Sequence, residues 1–167
     1  MDDVIVILNN YIRTKIRRKL RKEKIMFEQR KNIRDFVNRL IEGFPESKNP
    51  KWRYILFFKD SINGFAFSAP YLDKRECHGR VILNIPQISN LCKGDGERFA
   101  SFLLMNLYHE TQHTYQFDYM KENKLDIRNC LLKHQEKLEK QAIEAMNNLK
   151  YDFDFSYLQF EGKCLLQ

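Results

Sequence analysis

From Glu97 to Tyr119 the chain runs without a glycine or a proline, and within that run stands His109-Glu110-Thr111-Gln112-His113. Asp95-Gly96-Glu97 ahead of it supplies a start signal with acidic residues at the positive end, so the spacing predicts one long helix. At about 100° per residue, Phe99, Phe102, Leu103, Asn106, His109, Glu110, His113 and Phe117 fall in one stripe. That stripe is apolar before the five-residue motif and polar within it. A buried face that turns from Phe and Leu to His, Glu and His must satisfy those polar groups, and a metal ion does so. Histidines four apart project from the same side of a helix, so both imidazoles reach a single ion while Glu110 addresses a water at that ion.

A catalytic zinc ion takes a third protein ligand and keeps one position open. The extended form of the motif, with Gly three residues after the second His and His or Asp six after, is absent, because Gln116 and Tyr119 occupy those places. The ligand must come from farther along. A second helix is expected over about Ile127 to Lys150, with Leu138, Ala142, Ala145, Met146 and Leu149 marking its inward side. Glu136, Glu139 and Glu144 compete there. By helical angle Glu139 lies at the edge of the apolar stripe beside Ala142 and Met146, Glu144 points away with Lys140, Asn147 and Asn148, and Glu136 is intermediate, so Glu139 is the candidate third ligand.

These residues resemble the small zincins of the gluzincin type, including the minigluzincins and the zinc peptidases of phages and integrative elements akin to the repressor-cleaving ImmA group. The resemblance spans about Leu56 to Leu149 and is carried by His109-Glu110-Thr111-Gln112-His113 and the Glu139-Lys140-Gln141-Ala142 segment; Tyr115-Gln116 is also similar to phage-type members. It implies that Glu139 is the third zinc ligand, with Ala142 as its small partner. One departure stands out: larger gluzincins place an Asp four residues after the third ligand to orient a histidine, and this chain has Ile143. The partner that orients His109 is therefore unassigned.

Upstream, Ile55 to Phe67 reads as two apolar strands joined by a turn around Asp60 to Gly64, and Gly79 to Ile85 as a third strand stopped by Pro86. The expected fold is α+β and zincin-like: a small twisted sheet packed on the motif helix, basic helices before it and the third-ligand helix after it. In the resembling family an edge strand holds the substrate in extended form. Arg80 to Ile85 is the nominated segment, with an interior position for that strand as the alternative.

At 167 residues with 43% hydrophobic content, one domain with a real core is expected, comprising a basic helical extension over 1–43, a core over 52–150 and a tail over 151–167. Val4 to Leu8, preceded by Asp2 and Asp3, is too short and wrongly flanked for a signal peptide or a membrane span, which implies a cytoplasmic protein. Cys77, Cys92, Cys130 and Cys164 form no Cys-x-x-Cys pair and are expected as free thiols. The segment Arg13 to Arg39 carries twelve Lys and Arg against Glu23, Glu28 and Asp35, a surplus that exceeds the whole chain's net +7. It could meet nucleic acid or another acidic surface, although a solvated helix face explains it as well.

The implied chemistry is amide hydrolysis at Zn2+ held by His109, His113 and Glu139, with Glu110 as general base and then general acid. Tyr115, Tyr119, His134, Tyr151 and Tyr157 are all available as a second oxyanion donor. His78 and His134 read as ordinary surface or core histidines. Three classes follow: a peptidase acting on a specific protein substrate, a SprT-like protease recruited to DNA by the basic helices, and a catalytically silent interaction protein of the same fold.

Overall fold

In the computed structural model of the chain the described residues are 14–15, 17–18, 28–45, 52–59, 63–72, 78–93 and 95–150. Tyr151, Tyr157, Cys77, Cys164, the 151–167 tail and much of the basic N-terminal segment lie outside them. The chain divides into two compact units, Met1–Val37 and Asn38–Gln167. In helix α1, residues 28–42, Ile33, Phe36, Val37 and Leu40 are buried, while Arg30, Lys31, Arg34 and Arg39 are exposed. This matches the apolar spacing of its sequence.

The described residues form an α+β arrangement of four helices and a three-stranded mixed sheet. After α1 come β1 (Trp52–Phe57), β2 (Ala66–Pro70), β3 (Gly79–Asn84), α2 (Ile85–Cys92), α3 (Gly96–Glu122) and α4 (Ile127–Asn147). The strand order is β1-β3-β2, with β1 parallel and β2 antiparallel to β3. The two apolar segments on either side of Gly64 are therefore not paired with each other, because β3 lies between them.

This order corrects one expectation. The segment Arg80 to Ile85 is not an edge: β3 is the central strand, with Val81 and Leu83 fully buried. Its run of Val, Ile and Leu is the mark of a strand covered on both faces, which a lone sequence read does not separate from an edge strand. Pro86 also acts differently from expectation. The strand ends at Asn84, whose side chain accepts a hydrogen bond from Gln87 N at 3.4 Å, and Pro86 sits in the first turn of α2, where its missing N–H costs nothing. Asn84 is itself fully buried and satisfied on its other side, donating from Nδ2 to Gly64 O at 3.1 Å.

Helix α3 begins where the sequence signals it. Asp95 Oδ1 accepts from Arg98 N at 3.0 Å, and 27 residues follow, about 40 Å at 1.5 Å per residue. Phe99, Ala100, Leu103 and Leu107 are buried along its first half. Phe65 and Phe102 meet edge to face at 5.1 Å, and so do Phe44 and Tyr108 at 4.9 Å. At the far end the sheet comes very close. A Cβ on Gly79 would lie 3.1 Å from both Phe117 Cδ2 and Thr114 Cγ2, so glycine is what lets β3 lie against this turn of α3. The β2–β3 hairpin is pinned to the same end by His78 Nδ1 against Asp118 Oδ1 at 2.6 Å and by Lys121 Nζ donating to Tyr71 O at 3.3 Å.

Lys124 takes the left-handed conformation at φ 55°, Leu125 N donates to Met120 O, and Asp126 caps α4 through Asn129 N. Helix α4 then packs on α3, but at His134 (φ −124°, ψ 16°) its backbone leaves helical geometry. No helix among the described residues is long and apolar enough to cross a membrane.

Candidate metal centre

Helix α3 presents His109, Glu110 and His113 on one side, and α4 presents Glu139 against them. Glu139 sits between the two imidazoles: His109 Nε2 lies 3.1 Å from Oε1 and His113 Nε2 lies 3.1 Å from Oε2. One ligand atom from each of the three residues falls within 4.8 Å of the others, the group of this kind among the described residues that could hold a metal ion. Donors bonded to one tetrahedral ion at ~2.0–2.1 Å stand roughly 3.3 Å apart, so two nitrogens and a carboxylate so disposed fit a divalent ion that favours N and O ligands. The imidazole side chains are 15% exposed and that of Glu139 is 49% exposed. The other glutamates weighed for the same role do not join them. Glu144 lies 4.0 Å from Lys140 on the solvent side, and Glu136 is exposed.

The ring of His113 is oriented from behind. Its Nδ1 lies 2.9 Å from Gln116 Oε1, which fixes Nδ1 as the donor and frees Nε2 to face the cleft. The same amide donates from Nε2 to Leu138 O at 2.9 Å, so one side chain orients His113 and ties α3 to the turn of α4 that carries Glu139. Sequence reasoning met Gln116 only as the residue standing where a glycine was sought. Its position three residues after His113, on the same face of the helix, was the signal available.

Glu110 faces β2. Burial holds its carboxyl above the usual carboxylate range, a hydrogen bond with Ser68 and the imidazoles of His113 and His109 oppose that rise, and Glu139 adds to it. Nothing in the sequence context of Ser68 marks it; it meets Glu110 only because β2 is laid beside α3. Between the helices and the strand lies a cleft of about 480 Å³ bordered by Phe67, Ser68, Leu131 and Leu132 as well as the metal-facing residues. The remaining motif positions look elsewhere: Thr111 is buried, with its hydroxyl donating to Tyr108 O at 2.7 Å, and Gln112 lines a different cavity.

Three of the residues considered as oxyanion donors, Tyr115, Tyr119 and His134, border that other cavity and not the cleft. Helical angle explains the miss, since Tyr115 and Tyr119 lie well around α3 from His109 and His113. His78 pairs with Asp118 and is not among the cleft's lining residues. Cys92 and Cys130 are free thiols, as expected, and burial pushes the Cys92 thiol up.

Compared with models of protein families, with curated proteins and with solved structures, the chain matches none.

Proposed function

We propose that the chain is a zinc-dependent peptidase of the small zincin type, with His109, His113 and Glu139 holding the ion and Glu110 performing proton transfer. The observation that carries this reading is the convergence of Glu139 from α4 on the two histidine Nε2 atoms, with a carboxyl one residue along α3 aimed at the same cleft. A bound zinc ion supplies a Lewis acid that acidifies water and offsets negative charge developing on a carbonyl oxygen. Glu110 takes the proton of the attacking water and then delivers it to the departing amine nitrogen. Its partly desolvated surroundings, which raise the carboxyl's affinity for a proton, suit both halves of that task. Ser68 holds the carboxyl on the β2 side. Among the described residues strand β2 is an edge of the sheet, and it borders the cleft, so an extended peptide that adds to β2 passes in front of Glu110. The substrate-bearing edge in this reading is thus Ala66–Pro70, not β3.

The test measures zinc content and peptide hydrolysis together on purified full-length protein, using a quenched-fluorescence peptide mixture. Glu110→Gln should retain about one zinc per chain while hydrolysis falls by roughly 10²–10⁴-fold. Undiminished cleavage by that variant would overturn the role of Glu110. Absence of hydrolysis in a zinc-loaded parent would favour a catalytically silent chain of the same fold.

A further inference from the structure

Beyond the α3–α4 contact lies a second cavity of about 610 Å³, a size within the ~300–1,000 Å³ usual for small-molecule sites. Tyr115, Tyr119, Leu125 and Leu138 give it apolar walls. Two further observations speak for an occupant. Gln112, one of the unspecified positions of the histidine motif, lines the cavity, and its amide Nε2 is buried without a hydrogen-bond partner. A buried amide donor in that condition destabilises the fold until an acceptor meets it. Among the described residues the cavity's lining is also one-sided in charge: it includes Lys137 and no carboxylate.

We propose that this cavity binds a small organic acid, its aromatic or aliphatic body between Tyr115, Leu125 and Leu138, an oxygen accepting from Gln112 Nε2, and its anionic end toward Lys137. The site is tied to the metal centre. Leu138 lines both cavities, and Gln116, which also lines this one, holds His113 through Oε1 and the Leu138 carbonyl through Nε2. An occupant packed on that wall favours the same placement of α4 that brings Glu139 to the histidines. Acid and metal therefore strengthen each other's binding, and linkage requires the two factors to be equal.

The experiment uses full-length protein and 8-anilinonaphthalene-1-sulfonate as an aromatic anion probe, read by fluorescence with and without zinc, with decanoate as competitor. The test requires no peptidase activity, so the inference stands apart from the hydrolytic reading. One saturable site is expected, displaced by decanoate, weakened about tenfold or more by Lys137→Glu and by Gln112→Leu, and unchanged by Leu132→Ala in the metal cleft. Lys137 is exposed, so its variant should keep the parent's urea midpoint. Zinc should tighten the probe several-fold, and the probe should tighten zinc by the same factor. No saturable binding, or binding that Lys137→Glu and Gln112→Leu leave intact, overturns the site. Equal probe affinity with and without zinc overturns its link to the metal.

Discussion

Helices α3 and α4 supply the same candidate metal centre and are held in opposite ways. Ten of the 27 residues of α3 are buried, against two, Ile127 and Ala142, of the 21 residues of α4. His109 and His113 accordingly sit on a helix that cannot move without disturbing the core, whereas Glu139 rides on a largely exposed helix secured by Ala142, by the hydrogen bond from Gln116 to Leu138 O, and by the turn at Asp126. Preorganisation is thus unevenly divided. The imidazole half of the site shares the stability of the whole fold, and the carboxylate half can detach by local opening at a much smaller cost.

That division can be broken most forcefully at Leu103, fully buried in the first half of α3. Leu103→Ala should lower the unfolding free energy by about 2–5 kcal/mol in urea titrations, with zinc binding lost in step with the fold. Glu139→Ala should do the reverse. In competition with a chromophoric chelator its zinc affinity should fall by more than the roughly 10–100-fold expected for losing a ligand's supporting partner. The metal-free variant should nevertheless unfold at the parent's urea concentration. Glu136→Ala and Glu144→Ala should match the parent in both assays. A large drop in metal-free stability for Glu139→Ala would show α4 to be as firmly built in as α3. Gln116→Ala, which touches both helices, should cost about 10–100-fold in zinc affinity. A small effect is also expected at Leu132, 83% exposed on α4: Leu132→Ala should stay within about 0.5 kcal/mol of the parent in stability.

The uneven burial also explains which parts were legible in the sequence. Helix α3 announced itself through Asp95, an uninterrupted run and a stripe of Phe and Leu, because a buried helix must write its packing face into its residues. Glu139 could be chosen over Glu136 and Glu144 because Ala142 and Met146 fix the phase of α4 near that turn. The bend at His134 left no such trace, since no proline or glycine marks it and the backbone departs from helical geometry on an exposed stretch. The sheet order was illegible for a different reason. Alternation and β-branching report that a segment pairs, but which strand lies between which is decided by long-range contacts. Ser68 and the β2 edge could not be assigned to the cleft until that order was known, and Gln116 was hidden by being measured against a pattern that it does not follow.

The strand order carries a consequence for the route by which the chain folds. Pairs between β2 and β3 join residues as near as Pro70 and Gly79, whereas β1 meets β3 in parallel, with Trp52 opposite Gly79 and Phe57 opposite Asn84. The β2–β3 hairpin and the α3–α4 hairpin join neighbouring elements and close shorter loops than β1 with β3, and between them they hold every group of the candidate metal centre. Mutations in β1 should therefore change mainly the unfolding rate, and those in β2 and β3 the folding rate. Of the described strands, β1 comes first in the chain and is expected to dock last.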